Sequence, residues 1–215
     1  MSLYTEILEN LKRIDEITYS RVLNKQRSIT RLFPTFFQRV KAISANGGIR
    51  LVQQLPEVWK FKVVSGTQYG KSYDVYLRFK NVKEVIRKFI GNKKLWKKDG
   101  TGINLNLLAP EVFNKVDLEI DCTCPADSYW GSEYIKTQRQ AQYGKQELRA
   151  PKIRNPKQYG IMCKHSHDVF QRLPFYTSTF ASWLKSFYKK DIDEMVKEVL
   201  DKQKNTQISV DNIGQ

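Results

Sequence analysis

Cysteine and histidine are scarce, with three of the first and two of the second in 215 residues. Three thiols cannot build the paired disulfide framework that holds small secreted domains, and the count predicts a reducing compartment. Long apolar runs are missing too. No stretch approaches the roughly 18 uninterrupted apolar residues of a membrane span, so no membrane partner is expected. The opening run MSLYTEILENLKRIDEI has no basic head before an apolar stretch, and a signal peptide is not expected there. Synthesis and retention in a cytoplasm are the expectation. Acids are in deficit: 22 against 37 Lys and Arg, a net charge of +15. Such an excess favours polyanionic partners, either nucleic acid or an acidic protein face, and says nothing about fold. No repeat and no low-complexity segment stands out.

What is present reads as a mixed α+β chain. Leu3, Ile7, Leu11, Ile14 and Ile17 recur at helical spacing over 3–25, and 26–45 also leans helical, with Pro34 interrupting or starting an element. After the turn signal Asn46-Gly47-Gly48 the period changes to two. IRLVQQL, VWKFKVV and YDVYLRFK alternate as half-buried strands, the last two forming a hairpin around SGTQYGKS. Asn81, with Glu84 three residues on, predicts a capped helix through about residue 90. NKKLWKKDGTG reads as a basic loop, and VDLEIDC as a strand. Helix is expected from His165 to about Tyr188, broken near Pro174, and again over 191–204. One domain is expected over 1–205: N-terminal helices, a small antiparallel sheet with a packed helix, and a C-terminal helix. The tail 206–215 is expected to be weakly structured.

All five Cys and His residues fall into two short clusters, DCTCPADSYWG at 121–131 and GIMCKHSHDVF at 160–170. Scattered core residues would rarely do this, whereas zinc takes four N or S ligands in a tetrahedron. On a strand, residues i and i+2 share a face, so Cys122 and Cys124 aim their sulfurs one way. Pro125 ends the strand beside them. Cys163 and His165 repeat the spacing just before a helix. His167 is the alternative fourth ligand, since i and i+4 share a helical face if the helix starts earlier. Buried structural thiols, a redox pair, or a Cys nucleophile with a His base are the competing readings, and none explains the clustering of every Cys and His.

The pattern Cys122-Thr-Cys124, an insert, then Cys163-Lys-His165 resembles SWIM-type zinc domains. The longer string CTCPADSYWG…RAPKIRNPKQYGIMCKH is similar to a group of tailed-bacteriophage virion structural proteins. The likeness covers about 118–170 and gives a zinc-binding, SWIM-like module at about 116–190. It implies a zinc-stabilised virion component made in the host cytoplasm. Its partners would be portal, neck or tail proteins, copies of itself, and packaged DNA.

A closed Cys3His site is a poor Lewis acid, and no acid–base constellation accompanies it, so an enzyme is not expected. The expected role of Zn2+ is structural, clipping the strand at 122 to the helix start at 165 around the insert 125–162. Asp121 and Asp168 are candidates for hydrogen bonding to the ligand histidine. The insert carries Lys136, Arg139, Lys145, Arg149, Lys152, Arg154 and Lys157 among aromatics, and RAPKIRNP reads as an extended arm. Arg149, Lys152, Arg154 and Lys157, with Lys93, Lys94, Lys97 and Lys98 of the basic loop, are the candidate polyanion or partner contacts. The first functional expectation is an oligomeric ring protein at the head–tail connector, neck or tail. The alternative is a DNA-binding zinc module in phage replication, recombination or transcription.

Overall fold

The computed structural model describes residues 34–129, 131–153 and 162–211. The helix expected over 3–25 lies outside them. The described chain is α+β and divides into two compact units. The first comprises 34–80 with Val116–Pro174, the second Asn81–Lys115 with the residues from Phe175.

The first unit is built on a four-stranded antiparallel sheet in the order β1 (Ile49–Gln54), β2 (Val58–Val64), β3 (Ser72–Lys80), β4 (Asp117–Cys122). The alternation in the sequence becomes two faces. Trp59, Phe61, Val63, Val75, Leu77, Phe79, Leu118, Ile120 and Cys122 are all buried. Register aligns them in rows, with Trp59 opposite Leu77, Leu77 opposite Ile120, and Val75 opposite Cys122. Trp59 meets Phe79 edge-on at 5.2 Å between ring centroids. The other face is laced by cross-strand ion pairs, Lys60–Asp74 at 2.8 Å and Lys80–Glu119 at 3.2 Å, with Arg78 held between Glu57 and Glu119. Such exposed pairs contribute little each, and the apolar rows carry most of the stability.

Helix α1 (Pro34–Ala45) begins at Pro34, whose fixed φ and missing N–H suit a first turn. Asn46, Gly47 and Gly48 turn the chain into β1, with Gly48 N–H donating to the Ile43 carbonyl at 2.8 Å. After β4 the chain forms two short helices, α4 (Pro125–Tyr129) and α5 (Ser132–Gln138), within what reads in sequence as a polar excursion. Residues 141–143 then run beside β4: Ile120 N–H donates to Ala141 O at 2.8 Å and Tyr143 N–H to Ile120 O at 3.2 Å. Helix α6 (Lys164–Arg172) packs on α1 and on β2, β3 and β4.

The second unit is helical: α2 (Val82–Ile90), α3 (Leu105–Lys115) and α7 (Thr177–Asp211). α7 packs against both α2 and α3, and Phe113 meets Phe180 at 5.2 Å. Three expectations are corrected here. Asn81 makes no side-chain cap bond; it sits at φ 47°, the left-handed region that Asn tolerates, and turns the chain directly out of β3. The basic loop is partly structural. Leu95 and Trp96 are buried, and the indole N–H of Trp96 donates to Ile90 O at 2.8 Å. The two expected C-terminal helices are one, continuing past Asn205 to Asp211. No Gly or Pro interrupts that stretch, and Lys189–Asp193 spans the charged middle as an i,i+4 pair at 2.6 Å. Helix α3 is hidden in the sequence by Pro110 inside it.

Candidate metal centre

Cys122 ends β4 on the buried face of the sheet. The next residue extends the ladder by one step: Thr123 N–H donates to Asp74 O, and Asp74 N–H to Thr123 Oγ1, both at 3.0 Å. Cys124 is thereby kept on the side of Cys122, as the i, i+2 spacing requires. Pro125 then starts α4, where Asp127 N–H donates to Cys124 O at 2.9 Å.

Cys163 is the N-cap of α6. Its backbone is extended, at φ −73° and ψ 169°, and its sulfur accepts from Ser166 N–H at 3.5 Å. His165 follows in the first turn. Its ring stacks on Tyr73 of β3 at 4.8 Å, and its Nδ1 lies 3.9 Å from Cys122 Sγ.

The sulfurs of Cys122, Cys124 and Cys163 and a ring nitrogen of His165 all lie within 4.8 Å of one another. All four residues are buried, none more than 3 % exposed, and the cysteines are free thiols. Donors on a tetrahedron with metal–sulfur bonds of about 2.3 Å stand about 3.8 Å apart, so this set needs only a slight contraction to hold an ion. The buried His165 Nε2 has no hydrogen-bond partner among the described residues. The ring nitrogen shown beside a thiol is the other one, Nδ1, which completes a set of three sulfurs and one imidazole nitrogen of the kind zinc takes. Hydrogen bonds from Cys122 and Cys163 pull the Cys124 thiol down to about 4, which readies a thiolate, while burial pushes Cys122 well up. The four residues can hold a metal ion.

His167, the alternative ligand, is outside this group. It is 2 % exposed, and burial pushes its pKa down to about 4, so the ring stays neutral. Asp121 and Asp168 do not hydrogen-bond to His165. Asp121 accepts from Gln142 Nε2 at 2.9 Å and Asp168 from Arg172 Nε at 3.3 Å.

Lys136, expected among the surface charges of the insert, is fully buried on α5 and paired at 2.6 Å with the equally buried Asp127. Burial pulls the Lys136 pKa down, and the attraction of Asp127 outweighs it, so the net shift is upward. Burial likewise holds the Asp127 carboxyl above the usual carboxylate range, against the pull of Lys136. A lysine in a basic, aromatic segment gives no sequence signal of this.

The basic candidates are scattered. Lys93, Lys94, Lys97 and Lys98 are exposed on the second unit, with Lys93 Nζ 4.9 Å above the Trp96 ring and bonded to Gln203 Oε1 at 2.8 Å. Arg149 spends its charge on Glu147 at 2.7 Å, and Lys152 is exposed. Arg154 and Lys157 lie outside the described residues. Gly131, at φ 76°, holds the start of the arm closely: a β-carbon there would fall 2.5 Å from Pro151 Cγ.

Among the described residues no helix is long and apolar enough to cross a membrane. Comparison with protein-family models, with curated proteins and with solved structures returns no match.

Proposed function

We propose that the protein is a zinc-stabilised structural protein of a tailed-phage virion, acting in several copies in a ring at the connector, neck or tail. The observation that carries the zinc assignment is the convergence of three thiols and one imidazole in a closed, buried pocket. Soft thiolates with an imidazole suit Zn2+ better than the hard cations, and a four-donor site leaves no position for water or substrate. The ion then acts as a clip. It joins the end of β4 to the start of α6 and closes the insert between them, adding a cross-link to the burial that Ile135, Lys136 and Ala141 already provide. Structural zinc in small sites contributes apparent binding energies of about 10 kcal/mol or more, which become folding energy.

The virion assignment rests on the likeness of the string around the ligands to phage virion proteins. Mass spectrometry of purified particles tests it. The account expects the chain in stoichiometric amounts beside portal or tail proteins, and its absence from particles would remove the assignment while leaving the zinc clip intact.

A second reading, a DNA-binding zinc module, is favoured by the net charge of +15 and by one groove. That groove, of about 960 Å³, lies on the second unit and is lined by Lys97, Lys185, Lys189 and Lys197 together with Asp193 and Asp201. Phosphate contacts release counterions, so this reading requires duplex affinity that falls steeply with salt and a slope that Lys97→Gln and Lys185→Gln reduce. A response flat in salt sinks it.

A further inference from the structure

Beside the thiol cluster stands a second group of different chemistry. Asp121 on β4, Asp127 on α4 and Glu133 on α5 bring carboxylate oxygens within 4.8 Å of one another. Lys136 takes only one of these oxygens, Asp127 Oδ2. The other, Asp127 Oδ1, is buried and has no hydrogen-bond partner among the described residues. Gln142 leans on the same group: its Nε2 donates to Asp121 Oδ1 at 2.9 Å and to Tyr143 O at 3.1 Å. Its Oε1 is also buried without a partner. Three carboxyl groups thus stand together with an ammonium on only one of them, and a buried oxygen of that one, Asp127 Oδ1, is unused.

Like charges so close, one of them fully buried, repel unless something positive sits among them. Lys136 pairs with one oxygen of this group and leaves Asp127 Oδ1 and the carboxylates of Asp121 and Glu133 without an ammonium. We propose that Asp121, Asp127 and Glu133 hold a hard divalent cation of the Mg2+, Mn2+ or Ca2+ class, separate from the thiolate centre. All the donors are oxygen, which such ions select and which distinguishes this site from the sulfur-rich one. Asp121 and Glu133 are half-buried rather than sealed, so solvent reaches the group and water can complete the coordination. The cation would tie both short helices of the insert to β4, on the chain just past the first two thiol ligands.

The test uses the full chain, its zinc counted in the same sample, with Mn2+ as a paramagnetic probe. Electron paramagnetic resonance titration should find one bound Mn2+ per chain, displaced by excess Mg2+ or Ca2+. Glu133→Gln, which leaves the Lys136–Asp127 pair in place, should weaken Mn2+ by about tenfold or more and leave the zinc count unchanged. Asp121→Asn should do the same. A folded wild-type chain that binds no Mn2+ at about 1 mM, the weak end of oxygen-ligand sites, overturns the proposal. So does Mn2+ binding that both variants leave unaltered. The zinc count reports separately on the thiolate centre, so either site can fail alone.

Discussion

Cys122 Sγ and His165 Nδ1 lie 3.9 Å apart across 43 residues of chain. Nothing covalent brings them together. β4 delivers the sulfur to the buried face of the sheet, and α6, packed on that sheet, delivers the imidazole from its first turn. The two clusters of rare residues are thus joined by sheet register at one end and a helix N-cap at the other.

The two histidines should separate cleanly. His165→Ala removes a donor from the cluster and should abolish stoichiometric metal binding or weaken it by about 10²-fold or more, as loss of a ligand does. His167→Ala removes a buried ring outside the cluster. It should cost stability through packing, about 1–3 kcal/mol, and leave metal content unchanged. Metal analysis of the two purified variants, with urea midpoints, checks both. Metal lost from His167→Ala and kept by His165→Ala would reverse the ligand assignment.

His167 also sets a pH dependence. Its folded pKa of about 4 lies below the ordinary 6.5, so between those values the unfolded chain binds the extra proton. Stability from this group is therefore whole above pH 6.5 and falls as pH drops toward 4, by at most about 1.4 kcal/mol per pH unit. Acid also protonates the thiols, but that loss is common to wild type and His167→Gln. The variant should show a shallower fall in urea midpoint between pH 6.5 and 5. Equal slopes would mean that the ring is not held neutral by burial.

Lys136→Met should be among the most damaging single changes outside the thiol cluster. It leaves the Asp127 carboxyl buried without its ammonium, a loss of about 3–5 kcal/mol. Adding Asp127→Asn removes the stranded charge and should restore part of the stability. Thermal melts of the single and double variants measure this, and additive losses would show that the two groups are not coupled.

The strand β2 was legible because its apolar and charged residues alternate, Trp59, Phe61 and Val63 against Lys60 and Lys62, while β1 alternates less regularly and carries an exposed Val52. The thiol cluster was legible for another reason, that residues so rare in this chain stand at spacings with a geometric meaning. Lys136 was not legible. Whether a lysine is buried depends on a partner, and Asp127 reaches it only because α4 and α5 fold back on each other. The long helix α7 was obscured by Lys189, Lys190 and Asp191, whose charges interrupt the apolar stripe without breaking the backbone. Asn81 shows a residue correctly flagged for the wrong reason. Its tolerance of positive φ, not its side-chain oxygen, suits it to the strand–helix corner. The carboxylate group of Asp121, Asp127 and Glu133 has no sequence signature, since three acids at irregular spacing in a basic segment read as solvated charge.

The central claim is that a metal ion closes the chain between residues 122 and 165. The most direct measurement is zinc per chain by elemental analysis, in wild type and in Cys122→Ser, with the melting temperature of each before and after chelation. The account predicts one zinc per wild-type chain and none or a small fraction in the variant. It also predicts a melting temperature that chelation lowers substantially in wild type and leaves nearly unchanged in the variant, because the ion's binding energy is part of the folding energy. A wild-type protein that is folded, free of metal and indifferent to chelator would contradict it.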